Sequence, residues 1–294
     1  MSLVNGILTK AIAGFYFIDA GDGIYECKAR GIFRKNSITP TVGDRVTFEV
    51  LSDGKGVLCD VLPRKNILVR PPVANIDRLF IVSSQCIPAP NTLVIDRLTA
   101  IAVENDIEPI LVFNKSDLGD LSKWVELYTS VGFKTVLTST VSGEGCDEVL
   151  KLLDGKISAF TGNSGVGKSS LLNKIIPKLS LKTGEVSEKL GRGRHTTRHT
   201  ELYRVGGGYV ADTPGFSALE TVKTMSIKKE NLQFLFPEFE KYLGGCKFAS
   251  CTHTGEKGCA IERAAEEGII NRSRLESYHA FYNEIKDIKQ WEIK

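Results

Sequence analysis

No run in this 294-residue chain approaches the ~20 consecutive apolar residues that a membrane-spanning helix needs. The opening residues Met1–Gly6 lack the basic and apolar regions of a secretory signal. Charge of one sign is scarce too. Lys and Arg number 38 against 35 Asp and Glu, a net charge of +3 that permits nucleic-acid binding without arguing for it. Internal repeats and low-complexity tracts are absent. The seven cysteines, an odd number, argue against an extracellular disulfide framework. Cys27, Cys59, Cys86 and Cys146 are scattered, as small core residues are, whereas Cys246, Cys251 and Cys259 bunch beside His253. Together these absences predict a cytoplasmic protein in a reducing compartment with no membrane partner. Apolar content of 42% and charged content of 25% are ordinary for a globular chain long enough for more than one domain.

What is present falls into three segments, 1–68, 69–222 and 223–294. The first has short alternating and aromatic-rich runs punctuated by turn residues: Ala13–Ile18, Gly21-Asp22-Gly23, Ile24–Ala29, Val42-Gly43-Asp44 and Arg45–Val50. Strands at this spacing predict a small antiparallel barrel of the OB type. The basic run Arg30–Lys35, with Phe33 inside it, suits either an RNA-contacting loop or a solvated one. Arg70-Pro71-Pro72 predicts a stiff linker. Beyond it, apolar strands (79–82, 109–113, 135–137, 157–160, 201–205, 209–211) alternate with amphipathic helices (93–104, 121–131, 147–153, 168–175). That alternation predicts a mainly parallel α/β sheet. The last segment is helical and charged, interrupted by the Cys/His loop, and ends in an amphipathic run over 273–289.

Gly162-Asn163-Ser164-Gly165-Val166-Gly167-Lys168-Ser169 is a complete phosphate-binding loop between a predicted strand and a predicted helix, with Ser170 in the first helical turn. Its glycines let backbone N–H groups curl around phosphates, and the helix N-terminus favours their charge. Lys168 would reach the β- and γ-phosphates, and Ser169 would ligate Mg²⁺. Asp212, at the end of a predicted strand, suits the Mg²⁺ shell, and the Gly215 N–H suits the γ-phosphate. Asn114-Lys115-Ser116-Asp117 also ends a predicted strand. Asp117 can accept two hydrogen bonds from a guanine edge, a device worth ~10⁴ in discrimination because the wrong base leaves the carboxylate unpaired. Asn114 and Lys115 would brace that loop, and Ser139-Thr140 could give the base backbone contacts.

The order of these motifs is informative. In ordinary GTPases the guanine motif comes last, whereas here it precedes the phosphate loop, so the domain is circularly permuted. Between the phosphate loop and Asp212 lies Gly191–His199, where either Thr196 or Thr197 could close on Mg²⁺ and γ-phosphate. Phe216 stands where a water-orienting glutamine would sit and cannot do that work, which leaves His195 to orient or deprotonate the attacking water. Cys246, Cys251, His253 and Cys259 form the ligand set of a closed structural Zn²⁺ site, with no vacancy for catalysis.

These motifs together resemble the RsgA family of circularly permuted, small-ribosomal-subunit-dependent GTPases across essentially the whole chain. The resemblance implies an N-terminal OB-type β-barrel, a permuted α/β P-loop GTPase domain and a C-terminal helical zinc-binding domain. It also implies one structural Zn²⁺, Mg²⁺ with GTP, the small (30S) subunit and its rRNA as partner, a role in late subunit maturation, and a monomer. The family's catalytic histidine falls on His195. A GTP-regulated RNA-binding switch acting on another RNA particle is the alternative expectation.

Overall fold

The computed structural model of the protein describes residues 3–29, 39–52, 54–69, 72–85, 88–177, 200–212 and 227–288. In chain order the strands are β1 (Leu3–Ile12), β2 (Phe15–Asp19), β3 (Ile24–Ala29), β4 (Arg45–Val50), β5 (Gly56–Val61), β6 (Ile67–Val69), β7 (Pro72–Ala74), β8 (Arg78–Ser84), β9 (Glu108–Asn114), β10 (Lys134–Thr138), β11 (Ile157–Thr161), β12 (Glu201–Val205) and β13 (Gly208–Asp212). The helices are α1 (Thr92–Glu104), α2 (Ser122–Ser130), α3 (Cys146–Leu153), α4 (Lys168–Ile175), α5 (Ala260–Glu266) and α6 (Arg272–Ile285). Two compact units emerge. One takes the described residues of Met1–Leu79, Cys146–Phe160 and Lys168–Phe216; the other takes those of Phe80–Gly145, Thr161–Gly167 and Ser217–Lys294.

The first unit contains the expected barrel. The N-terminal half of β1 pairs with β4, from Leu3 opposite Glu49 to Ile7 opposite Arg45, and its C-terminal half pairs with β2. β2 continues to β3, β3 to β5 in parallel, and β5 back to β4, which closes five strands. At Gly6, β1 comes close to β2. A Cβ there would stand 2.4 Å from Ile18 Cγ2 and 2.8 Å from the Asp19 carbonyl oxygen. Inward alternation puts Leu8, Ile18, Cys27, Val46, Phe48 and Leu58 into one fully buried cluster. Each large side chain there stabilises by roughly 1.5–3 kcal/mol relative to exposure. The same unit holds β11 parallel to β13, with Ala159 opposite Ala211, and β12 antiparallel to β13. Lys10 on β1 lies opposite Glu201 on β12 and pairs with its carboxylate at 2.8 Å.

In the second unit β9 and β10 run parallel, with Thr138 opposite Asn114. The run from Pro109 to Phe113 is wholly buried, as an interior parallel strand requires. Helix α1 begins at Asn91, whose side chain accepts from the Val94 N–H and caps it. It buries Ile95, Leu98 and Ile101, and α6 buries Leu275, Tyr278, Phe281 and Ile285, both at helical spacing. Leu232, Leu235, Phe236 and Phe239 join α1 and α6 residues in one apolar core.

That core encloses a charge. Arg274 is completely buried, with its guanidinium 4.7 Å from the Phe236 ring centroid. Its Nη1 donates to Asp96 Oδ1 at 2.6 Å, while Nε and Nη2 donate to the two oxygens of Glu238 at 2.7 and 3.1 Å. The Tyr128 hydroxyl donates to the same Asp96 oxygen at 2.7 Å. Burial lowers Arg274, but Asp96 and Glu238 more than reverse this and hold it above its ordinary value. Burial raises Asp96 by more than Arg274 and the hydrogen bonds lower it, so it stays above its ordinary value. A guanidinium and a hydroxyl both donate to one oxygen, contacts that favour the ionised carboxylate against burial.

Candidate nucleotide site and metal centre

The four residues 114–117 follow directly from the strand that presents them. Asn114 ends β9 and is buried. Its Nδ2 donates to the Val166 carbonyl at 2.9 Å, and its Oδ1 accepts from the Thr138 hydroxyl at 3.0 Å. The register of β9 against β10 explains the second contact, since Thr138 lies directly opposite. Lys115 adopts a left-handed conformation, φ 62°, and its Nζ reaches the Gly165 carbonyl at 2.8 Å. Asp117 sits exposed in a 3₁₀ turn over Ser116–Leu118. Its Oδ1 accepts from the Ser139 hydroxyl at 2.5 Å.

The guanine motif is therefore tied to the phosphate loop through two backbone carbonyls, Val166 and Gly165, some fifty residues further along the chain. Gly167 is required at this junction. Its φ is +94°, and a Cβ there would lie 2.4 Å from Asn114 Nδ2. Of the other loop residues, Gly162 and Val166 are buried, Asn163 is half-buried, and Ser164 and Gly165 are exposed.

Lys168 opens α4, followed by half-buried Ser169 and exposed Ser170. Burial pulls the Lys168 ammonium down to about 8. Asp212 is the last residue of β13. Since β13 runs parallel to β11, the carboxyl ends of both strands lie at the same edge. His195, Thr196, Thr197, Gly215 and Phe216 lie outside the described residues, as does the basic run 30–35.

Ser139 was expected to offer the base its backbone. In the structure it is fully buried, and its side chain is aimed at Asp117. Thr140 follows it, half-buried. Thr138 and Glu144 carry no signal of their own in the sequence: strand register sets Thr138 opposite Asn114, and only the folded loops bring Glu144 to Ser116.

Cys246, Cys251, His253 and Cys259 converge, with one donor atom from each lying within 4.8 Å of the others. Cys246 Sγ is 3.9 Å from Cys259 Sγ, and His253 Nδ1 is 3.5 and 3.4 Å from those two sulfurs. A tetrahedral Zn²⁺ with bonds of ~2.3 Å sets its sulfurs ~3.8 Å apart, so the donor set fits such an ion. His253 turns Nε2 away from the cluster to Gln233 Oε1, at 3.0 Å. That partner fixes the ring so that Nδ1 faces the sulfurs. Burial lowers His253, favouring the neutral imidazole that a metal needs. Burial would raise Glu256, but hydrogen bonds from the Thr252 hydroxyl and from the Thr252 and Thr254 N–H groups draw it down to about 2 and lock the loop. Tyr278 and His279 on α6 bond the carbonyls of Thr252 and His253 at 2.9 and 2.8 Å, which seats the loop on the helix.

Known proteins match this arrangement along the whole chain. The RsgA GTPase family profile matches residues 61–222, and the RsgA N-terminal domain profile matches residues 5–58. The small ribosomal subunit biogenesis GTPase RsgA of Caldanaerobacter subterraneus is 46% identical over 291 residues, spanning 98% of this chain and 97% of that protein. Its namesake in Geobacillus thermodenitrificans is 43% identical over 293 residues, spanning 98% and 99%. The crystal structure of YjeQ from Thermotoga maritima superposes with a TM-score of 0.84 at 34% identity, covering 98% of this chain and 100% of that one. The crystal structure of YloQ, described as a circularly permuted GTPase, gives 0.81 at 36% identity, covering 98% and 96%.

Proposed function

The chain belongs to the RsgA GTPase family, and on that premise we propose that it hydrolyses GTP under the stimulation of the small ribosomal subunit, late in that subunit's maturation. One observation carries the nucleotide part of this proposal. Asn114 and Lys115 clasp the phosphate loop at Val166 and Gly165, so a guanine motif that comes first in the sequence is joined to the loop that would hold the phosphates.

In this reading Asp117 accepts the guanine edge, with Ser139 and Thr140 behind it. Residues 162–167 wrap the phosphates with backbone N–H groups, and Ser170 lies in the helical turn beneath them. The Lys168 ammonium neutralises charge on the β- and γ-phosphates. Ser169 and Asp212 are the residues that would hold Mg²⁺, which would supply positive charge against that developing on the phosphates. Gly215 offers its N–H to the γ-phosphate, and Thr196 or Thr197 closes over it. Water attacks the γ-phosphorus while the bond to the β–γ bridging oxygen breaks, giving GDP and phosphate. His195 orients that water or takes its proton, so His195→Ala should slow turnover and leave GTP binding intact.

The segments 1–68, 69–222 and 223–294 would divide the work into an RNA-binding barrel, the GTPase and a zinc-stapled helical domain. The rRNA of the 30S particle would be the barrel's partner. We place the protein in the cytoplasm as a monomer; among the described residues no helix is long and apolar enough to cross a membrane.

The deciding measurement is phosphate release from GTP with small subunits, with large subunits and alone. Stimulation by the small subunit only supports the whole proposal. Stimulation by large subunits would favour a switch acting on another RNA particle.

A further inference from the structure

Two loops meet at Asp117, and each holds the other through a hydroxyl and a carboxylate. Ser139 donates to Asp117 Oδ1 at 2.5 Å, and Ser116 donates to Glu144 Oε2 at 2.5 Å. The first of these bonds has a fixed direction. The N–H groups of Val141 and Ser142 both donate to Ser139 Oγ at 3.2 Å, which occupies its two lone pairs and leaves its proton only for Asp117. In the second, the Ser116 hydroxyl is the donor and the Glu144 oxygen accepts. Residues 139–144 are closed on themselves, with the Ser139 N–H bonded to the Glu144 carbonyl at 3.1 Å and the Gly143 N–H to the Ser139 carbonyl at 2.9 Å. A pull on Glu144 is therefore transmitted to Ser139.

We propose that Ser116 and Glu144 are positioning residues for base selection, latching loop 139–144 onto the 114–117 loop so that Ser139 holds the Asp117 carboxylate in the plane the base requires. The proposal rests on the guanine reading above. A carboxylate oxygen has two lone pairs, and Ser139 takes one of the four on Asp117. The remaining three can meet two adjacent N–H donors of a guanine only if the carboxylate does not turn. With Glu144 released, loop 139–144 keeps its internal bonds but loses its second anchor on the guanine motif. Asp117 then reorients freely, and the loss falls on the interactions that read the base rather than the phosphates.

The test compares the affinities of the full-length protein for GDP and IDP, because hypoxanthine lacks the 2-amino group that gives guanine its second donor. The wild type should prefer GDP. In Glu144→Ala and Ser116→Ala the GDP/IDP ratio should fall about three- to tenfold, the range for one partly solvated hydrogen bond. Glu144→Gln retains an oxygen that accepts from Ser116 and should recover most of the ratio. Equal loss of GDP and IDP affinity would mean that the latch merely keeps the loops folded, and an unchanged ratio would mean that it does nothing for Asp117; either result overturns the proposal. A wild type indifferent to the two bases would sink the guanine reading and the proposal together, which separates that failure from the other two.

Discussion

The C-terminal core buries a cation fully and the phosphate loop half-buries one, and they treat it in opposite ways. Arg274 is enclosed by aromatic rings and held by two carboxylates, which push its proton affinity up against the effect of burial. Lys168 is pulled down to about 8 by burial. A paired buried charge is stable only as a set, and removing one member strands the others. A cation whose charged form the fold itself disfavours has most to gain from an arriving polyanion. Carboxylates of the fold raise Arg274, whereas at Lys168 the net effect of the fold disfavours a charge that a nucleotide's phosphates would favour.

The largest effect that follows concerns the other built-in device of the C-terminal region. Around Cys246–Cys259 regular structure is slight, with a 3₁₀ turn over Pro237–Tyr242 before it and the seven-residue α5 after it. Stripping the metal should cost several kcal/mol and melt this segment. Amide exchange should accelerate through α5 and α6 while the barrel strands β1–β5 keep their protection, since six buried side chains and a closed ladder hold them. Elemental analysis of the intact protein should return one zinc per chain. Unchanged protection of α6 after metal removal, or in Cys259→Ser, would show that packing alone suffices there.

Arg274→Ala comes next, with an expected loss of about 3–5 kcal/mol because Asp96 and Glu238 are left buried without their partner. Pairing Arg274→Met with Asp96→Asn should recover part of that loss, a coupling that denaturant titration of the two single variants and the double variant would measure. Additive losses would mean that the charges do not act as a set.

Nothing in the local sequence marks Arg274. Arg272 is two positions away, and the residue that Arg274 meets on Asp96 is 178 positions distant. Arginines on a charged terminal helix are ordinarily solvated, so only the folded core tells the buried one from the exposed one. β1 is hard to read for a related reason: it pairs with both β2 and β4, and Gly6, where it comes close to β2, has no side chain to show alternation. Where the chemistry is local, the sequence was enough to place it. The segment 201–205 was anticipated as a strand with the ends that β12 has, and α4 was anticipated over 168–175. The Cys/His set converges as its spacing implied. Ser139 lies between these cases, because its loop was foreseen and the target of its hydroxyl depended on strand register.

Lys168→Met should invert the Arg274 result. Loss of an ammonium that burial disfavours should leave the melting temperature of the nucleotide-free protein unchanged or higher. Affinity for GDP should fall by about 10- to 100-fold, the value of a charge-assisted bond to phosphate. A variant destabilised as severely as Arg274→Ala would place Lys168 among the structural charges and dissolve the contrast.

The smallest effect is also the most specific to Lys168. Its folded value of about 8 lies below the ordinary 10.5, so at pH values under 8 the ammonium is charged in both folded and unfolded chains, and the folded one is the less favourable of the two. Between 8 and 10.5 the unfolded chain still holds a proton that the folded chain has released, so this group makes the nucleotide-free protein more stable as pH rises through that window. Phosphate oxygens beside the ammonium would raise its value again, so nucleotide binding above pH 8 must take up protons, and affinity must decline with pH by at most about tenfold per unit. Calorimetry of GDP binding at pH 8.5 in two buffers of different ionisation enthalpy reads that uptake directly, and Lys168→Met should abolish it. If the wild type takes up no proton, the ammonium is already fully charged before nucleotide arrives. The compensation that the fold supplies at Lys168 would then outweigh burial, as it does at Arg274.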